Sequence, residues 1–474
     1  MKTGRVRAEL LGIALLLHLG FAATLAAQMN GPALDPAEEA KIAKMLADSG
    51  VPSVSIAIVE HRQLVYAKAF GKASLDPSRT ADAETRYAVG SISKQFTAAA
   101  ILLLAEQGKI SLDDRVSKYF PALTRSNDVT IRELLSHTSG YEDYAPQDYM
   151  IPEWTKPTTP AAVLDAWAKK PLDFDPGTKW QYSNTNYVLA GQIFEKASAE
   201  DLMKFLEAKI FEPLGMSSAG DCSVDKTPRD AIAYTRYALG PARPALREGP
   251  GWYFGAGELC MTPSDLAKWD VAFLNRQILS AHSYEEFTRE VRLADGDVTH
   301  YALGLHVGTF DDIPVVSHNG EVSGFLASNS VFPTRDAAVI VLSNQDAINL
   351  IGPISNELSR WILEPETRAS GDHGSPAELA QVRGILEGLQ QGRIDRWLLT
   401  SNNNFYFTDL ALHDIEVSLA PLGKLKDVTR ERESFRGGMR FRLYHAQFAK
   451  KTLAVTVYLT PDGRYEQFLI LQEF

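Results

Sequence analysis

The chain has 474 residues, more than one hydrophobic core usually organises, which predicts two or three domains. Its 45% hydrophobic and 23% charged content is that of a soluble globular protein. The net charge of −11 without any basic cluster argues against nucleic acid as a partner, and ten scattered histidines with no His-Glu-x-x-His motif offer no metal site.

The first residues read as a leader. Lys2, Arg5 and Arg7 precede an apolar run from Leu10 to Phe21, interrupted only by His18. "ATLAAQ" (Ala23–Gln28) then offers small residues for cleavage near Ala26 or Ala27. Residues 1–27 are therefore expected to be a signal peptide, giving a periplasmic or extracellular protein with no stable membrane anchor. His18 and the shortness of the run disfavour an uncleaved anchor, and no cysteine lies near the cleavage site to carry a lipid. Removal takes three positive charges and one negative, moving the net charge from −11 to −13. Cys222 and Cys260 are the only cysteines, so one disulfide is permitted in an oxidising compartment, and two free buried thiols are equally compatible.

In "LDPAEEAKIAKMLADSG", Asp35 as N-cap, Pro36 at the first helical position and Gly50 as the stop predict a helix. Val54–Glu60 and Gln63–Gly71 predict two strands of a hairpin. Helical patterns dominate from Ser91 to about Ala199, broken by proline-rich loops. Further helices are expected near Ala199–Ile210, Pro263–Leu274 and Ser283–Val291. Strands return at Tyr301–Phe310, Phe325–Phe332 and Ala337–Leu342, and a helix follows from about Ala347 to Leu363. Strands at both ends with helices between predict an α/β (α+β) fold, in which one antiparallel sheet is flanked by helices and carries an all-helical subdomain. The main domain is placed at 28–364. "PETRASGDHGSP" predicts a linker over 365–376. Residues 377–474 alternate like a small separate α+β domain, in which no catalytic set gathers.

The chemistry concentrates in "YAVGSISKQFTAAAILLLAEQGK" (Tyr87–Lys109). Lys94 follows Ser91 by three residues, so on a helix the two share a face one turn apart. A serine hydroxyl needs a base. An ordinary lysine is the wrong one near neutrality, yet burial lowers a lysine pKa by as much as 3–5 units, and the helix that follows supplies apolar surroundings. Ser93 is a rival hydroxyl whose spacing points it away from Lys94. A second Ser-x-x-Lys, at Ser223–Lys226, precedes no apolar helix and reads as chance.

Two further stretches fall in order behind it. "WQYSNTNYVLAGQIFEKA" carries Tyr182-Ser183-Asn184 before an apolar helix, and "VVSHNGEVSGF" carries His318-Asn319-Gly320 after a short strand. With Ser-x-x-Lys at Ser91, these make the chain resemble the serine β-lactamase and penicillin-binding protein superfamily over roughly Asp35–Leu363. Within it the likeness is to the branch of class C β-lactamases, D-aminopeptidases, DD-peptidases and family VIII esterases. "LLSHTSG", "EPLGM" and "MTPSDLAKW" share it less specifically. The resemblance implies a serine hydrolase with Ser91 as the acylated nucleophile and Lys94 as its partner or base. Tyr182 would act on the leaving group or, as phenolate, take the Ser91 proton itself, and Asn184 would position Lys94 and substrate. The backbone N–H groups of Ser91 and Glu321 would form the oxyanion hole. No cofactor or metal is implied.

The third motif departs from the Lys-Thr-Gly of penicillin-active members; the chain's only Lys-Thr-Gly, Lys2-Thr3-Gly4, lies in the leader. A histidine there is mostly neutral at pH 7 and grips a carboxylate less well. The expected substrate is therefore a small ester or D-residue amide or peptide. A β-lactamase, a DD-carboxypeptidase or a non-catalytic penicillin or peptidoglycan binder are the alternatives. His318 as base to Ser91 is the other mechanism, and His137 in "LLSHTSG" reads as a loop-fixing hydrogen-bonder. Trp252 and Tyr253 could line an acyl pocket or pack under a loop, and the tyrosine-rich Gly140–Met150 could be a rim. No Gly-x-Ser-x-Gly elbow supports an α/β-hydrolase. The oligomeric state is not legible.

Overall fold

The computed structural model describes residues 34–363, 376–436 and 438–472; the expected leader and nearly all of the expected linker lie outside them. The first helix among the described residues, α1 (Pro36–Ser49), starts where Asp35 accepts the Ala37 N–H at 2.9 Å and ends at left-handed Gly50. Strands β1 (Ser53–Glu60) and β2 (Gln63–Ser74) form the expected hairpin, with the two-residue β3 (Arg79–Thr80) beside it. Helices α2 (Ser93–Glu106), α3 (Asn184–Ser198) and α4 (Pro263–Leu274) belong to the intervening helical region. The later strands are β4 (His306–Phe310), β5 (Ile313–Val322), β6 (Phe325–Phe332) and β7 (Ala337–Ser343), followed by α5 (Ile351–Leu363).

These strands make one seven-stranded sheet in the order β3-β2-β1-β7-β6-β5-β4, so the chain's early and late strands meet where β1 pairs antiparallel with β7. The two central strands are buried on both faces, and the pleat sends alternate side chains to different cores. Val54, Ile56 and Ile58 of β1 pack with α1 and α5 through Ile42, Leu46, Ile354 and Leu358. Ala57 and Val59 point the other way, into the core that contains α2, α3 and α4. Helix α2 is apolar nearly all round and buried accordingly. Its Phe96 packs on Trp269 of α4 and on Phe211, with ring centroids 4.6 and 5.6 Å away.

The C-terminal part is a small sheet domain. Helices α6 (Pro376–Leu389) and α7 (Asp409–Leu419) accompany a meander of four antiparallel strands, β8 (Leu425–Arg436), β9 (Met439–Phe448), β10 (Thr452–Leu459) and β11 (Tyr465–Gln472). It has its own core, including Val382, Leu386, Leu419, Val455 and Phe468. It docks on the larger body through a forked ion pair, Arg243 Nε and Nη2 to Asp414 at 2.8 and 3.0 Å. Gln467 adds two contacts to Asp148, accepting its N–H at 2.6 Å and donating to its carboxylate at 3.0 Å.

Several expectations need correction. The strand expected over Tyr301–Phe310 begins only at His306, because the Ala302 N–H bonds Leu305 O and Gly304 turns the chain at φ 79°. Ala199 does not open a helix; it is the left-handed cap of α3, and the next helix starts at Leu202 behind Asp201. The last helix of the main body starts at Ile351 rather than Ala347. Strand β8 was not legible at all. Of the two states left open for the cysteines, the structure has free thiols at both Cys222 and Cys260. Among the described residues, no helix is long and apolar enough to cross a membrane.

Phe96→Ala would leave a void between α2, α4 and Phe211. The expected loss is about 3–5 kcal/mol, read from urea unfolding, because a buried aromatic is removed where its neighbours cannot close in. A loss below about 1 kcal/mol would mean that α2 is not fixed by this packing.

Candidate active site

Ser91 lies in a single tight turn, Gly90–Ile92, that leads directly into α2. This turn is pressed against β5. A β-carbon on Gly320 would sit 1.9 Å from Val89 O and 3.2 Å from the Ser91 nitrogen. One on Gly90, whose φ is 51°, would sit 2.7 Å from the Glu321 nitrogen. Only glycines let the two backbones approach so closely, and the approach brings the Ser91 and Glu321 amides to one junction.

Lys94, one turn along α2, is fully buried. Its Nζ is 3.0 Å from Ser91 Oγ, 2.8 Å from Asn184 Oδ1 and 2.7 Å from Ala256 O. The Tyr182 and Tyr187 rings flank it, with centroids 4.9 and 5.5 Å away. Burial drives its pKa well below 10.5; Asp143 pulls it back up and Arg436 pushes it further down. A neutral amine has two hydrogens and one lone pair. Two acceptors and one hydroxyl that can donate match that inventory.

Asn184 is the first residue of α3, and its amide is oriented from behind. Nδ2 donates to Asp143 Oδ1 at 3.2 Å and approaches Ala145 O at 3.4 Å, leaving Oδ1 to face Lys94. Asp143 Oδ1 also accepts the Asn184 backbone N–H at 3.0 Å, an anion placed where a helix start leaves donors open.

The Tyr182 hydroxyl is buried without a formed hydrogen bond. Burial raises its pKa, opposed by the Arg436 charge and by the Ser91 hydroxyl toward which it lies, so the phenol keeps its proton near neutrality. His137 stacks on the Tyr182 ring at 4.3 Å, and its Nδ1 accepts the Ser183 N–H at 3.1 Å. It fixes the loop before α3, and burial keeps it neutral. His318 is buried too, its ring 6.1 Å from that of Tyr182. Nδ1 lies 2.6 Å from Asn319 O and Nε2 2.9 Å from the Tyr301 hydroxyl. A neutral ring satisfies both by donating from Nδ1 and accepting at Nε2, which occupies the lone pair a base toward Ser91 would need. Burial, first among the causes, holds its pKa well below 6.5.

Ser91, Tyr182, Asn184, His318, Gly320 and Glu321 all line one cavity of about 1040 Å³, with Lys94 behind its wall. A smaller hollow of about 530 Å³ at Thr124, Arg125 and Asp175 contains none of them. Glu321 is exposed and lines the cavity. Enclosure, with Asp148, Asp346 and Glu248 nearby, raises its pKa well above 4.5 despite Arg436. Asp346 is pushed up to about 6 by burial. Tyr253 lines the cavity, whereas Trp252 packs under the loop and donates to Lys156 O at 2.8 Å. Of the tyrosine-rich loop, Tyr141 and Tyr144 are buried and Tyr149 reaches the cavity.

Sequence reasoning missed three groups. Ala256 contributes only a backbone carbonyl, which no side-chain motif marks. Asp143 stood among the loop tyrosines. Arg436 ends β8 of the C-terminal domain, where no catalytic set was expected. Its Nε donates to Asp143 Oδ2 at 2.7 Å and its Nη2 to Ala145 O at 2.9 Å.

A family model described as Beta-lactamase matches residues 39–355. A putative penicillin-binding protein, PbpX of Bacillus subtilis (strain 168), is 28% identical over 321 residues, 67% of this chain and 77% of that protein. The octameric penicillin-binding protein homologue from Pyrococcus abyssi superposes with a TM-score of 0.63 at 22% identity, covering 92% of this chain and all of that one. A D-stereospecific amidohydrolase from Streptomyces sp. gives 0.57 at 26% identity, covering 66% of this chain and 95% of the other.

The buried amine makes stability depend on pH. Lys94 has a depressed folded pKa, so between that value and 10.5 the unfolded chain binds a proton that the folded chain does not. Stability then rises with pH across this window. Relative to Lys94→Met, the wild type is expected to gain stability as pH is raised from 7 toward 10, measured by urea unfolding. A difference that stays flat or falls would mean that Lys94 is charged in the fold.

Proposed function

Because the chain belongs to the β-lactamase family and is a serine hydrolase, we propose that it works by acyl-enzyme formation at Ser91 and hydrolyses a small ester or D-residue amide or peptide. The observation that carries this reading is the contact of Lys94 Nζ with Ser91 Oγ at 3.0 Å, in buried surroundings that push the amine's pKa well below the ordinary lysine value.

The neutral Lys94 takes the Ser91 proton as Oγ attacks the substrate carbonyl. The Ser91 and Glu321 amides receive the developing oxyanion, as backbone donors do in acyl transfer. Tyr182, protonated, gives its hydrogen to the departing nitrogen or oxygen and regains one from the protonated Lys94. Asn184 holds the amine in line. In the second half, water attacks the acyl group and the protons run the other way. The depressed Lys94 and raised Tyr182 together favour the amine over the phenolate as base.

Substrate preference follows from His318 and the cavity acids. The buried, neutral His318 offers no cation to a substrate carboxylate, unlike the lysine of Lys-Thr-Gly. Glu321 and its acidic neighbours add no anion grip. Arg436 also lines the cavity, but Asp143 and Ala145 O engage its guanidinium. Neutral acyl groups therefore suit the site, and the amidohydrolase neighbour, by its name, supports amides among them. Penicillin binding without rapid turnover is the second reading, drawn from the penicillin-binding relative. Residues 1–27 serve as a cleaved leader that delivers the protein to the periplasm or outside. Residues 28–364 form the hydrolase domain, joined by a linker over 365–376 to the accessory domain at 377–474.

A fluorescent serine-directed phosphonate tests the reading. Wild type should label and Ser91→Ala should not. Lys94→Ala should label about 10²–10⁴ times more slowly, the usual size of a lost general base. Folded wild type that resists labelling would sink the enzyme reading. Tyr182→Phe should slow a D-alanyl anilide at least tenfold more than a p-nitrophenyl ester, whose leaving group needs no proton. Equal losses would remove Tyr182 from that role.

A further inference from the structure

Arg436 closes the β8–β9 hairpin opposite Met439 and is carried by that hairpin into the Ser91 cavity. Its guanidinium lies over the Tyr182 ring, 4.8 Å from the centroid, and its Nη1 is 3.9 Å from Asp148 Oδ1. Asp143, its main partner, is fully buried, whereas the arginine keeps some open surface. The two acceptors that Arg436 takes, the Asp143 carboxylate and Ala145 O, are the same two that the Asn184 amide uses. The fork occupies Asp143 Oδ2 and leaves Oδ1 for Asn184. An Asn184 amide turned over would set Nδ2 against the Lys94 amine and Oδ1 against the Asp143 carboxylate. A continuous polar chain thus runs Arg436, Asp143, Asn184, Lys94, Ser91.

Building on the acyl-enzyme reading above, we infer that Arg436 is a positioning residue of the Ser91 centre: by fixing Asp143, and through it Asn184, it keeps Lys94 against Ser91, so that the C-terminal domain completes the site. The charged and titratable groups around Lys94 are Asp143, Arg436, Tyr182, Tyr187, His137 and His318. Among them Arg436 carries the positive charge that offsets Asp143. Without it, Asp143 would act on Lys94 unopposed and raise the pKa of the amine. The limb of the rate profile on which Lys94 loses its proton would then move to higher pH.

The test is the phosphonate acylation rate of the full chain between pH 5 and 10 for wild type, Arg436→Met, Arg436→Lys and Arg243→Met. The last removes the forked contact to Asp414, which holds the domains together without touching Asp143. Arg436→Met is expected to slow acylation at pH 7 by ten- to a hundredfold, the scale of a small misplacement of the reacting groups, and to carry the rising limb to higher pH. Arg436→Lys keeps the charge but not the fork, so the limb should return while part of the rate stays lost. Arg243→Met should leave the limb in place. Acylation by Arg436→Met at the wild-type rate overturns the inference. So does a slowed rate with an unmoved limb, or the same displacement in Arg243→Met. Should Arg436→Met not fold, a displaced limb in folded Arg436→Lys overturns it alone. Folded wild type that does not acylate at any pH removes the acyl-enzyme reading itself, and the inference with it.

Discussion

An amine enclosed by protein, with no carboxylate among the described residues touching it, is the constraint on which the Ser91 centre rests. A charged ammonium there would forfeit its hydration and recover only dipoles, which pushes the amine's pKa well below the ordinary lysine value. Helix α2 creates this condition by being apolar on nearly every side. The nearest anion in the polar network, Asp143, is held one amide away: Asn184 stands between it and Lys94. That separation matters, because a carboxylate in direct contact would keep the lysine charged and cancel its use as a base.

The rest of the architecture serves to bring unlike segments to this amine. The start of α2 supplies Ser91 and Lys94. The start of α3 supplies Tyr182 and Asn184, with His137 braced behind the tyrosine ring. The edge region of the seven-stranded sheet supplies β5, whose backbone meets the Ser91 turn so closely that Gly320 admits no side chain. The small C-terminal sheet forms a further wall of the same cavity through residues such as Arg436, Phe441 and Tyr458. The site is therefore an interface among several parts of the chain, and its electrostatics are set by which charges each part contributes.

What could be read beforehand came partly from local patterns and partly from resemblance. The Ser-x-x-Lys pair was legible because an apolar helix begins beside it, whereas the roles of Tyr182 and Asn184 came from the likeness of the three ordered motifs to a known superfamily. Strands β1 and β7 were expected as strands, and their short continuous apolar runs are buried on both faces. Three things were hidden for physical reasons. A backbone acceptor such as Ala256 O has no signature in side-chain identity. Gly304 bends the chain inside an otherwise strand-like run. Strand β8, "LKDVTRERESFR", lacks apolar alternation and reads as a solvated segment, yet part of it, including Glu431 and Arg436, faces a water-accessible cavity inside the protein. Polar sequence signals contact with solvent, and here part of that polar face lines the cavity.

The protonation state of one nitrogen therefore carries the account. With lysines labelled by ¹³C at Cε and ¹⁵N at Nζ, and with Lys94→Met to assign the resonance, NMR titration reads that state directly. The account expects the Lys94 signal to have the shift of a neutral amine at pH 7, with its titration displaced well below the ordinary lysine range. A Lys94 resonance that stays ammonium-like at pH 7 and titrates near 10.5 with the surface lysines would contradict it.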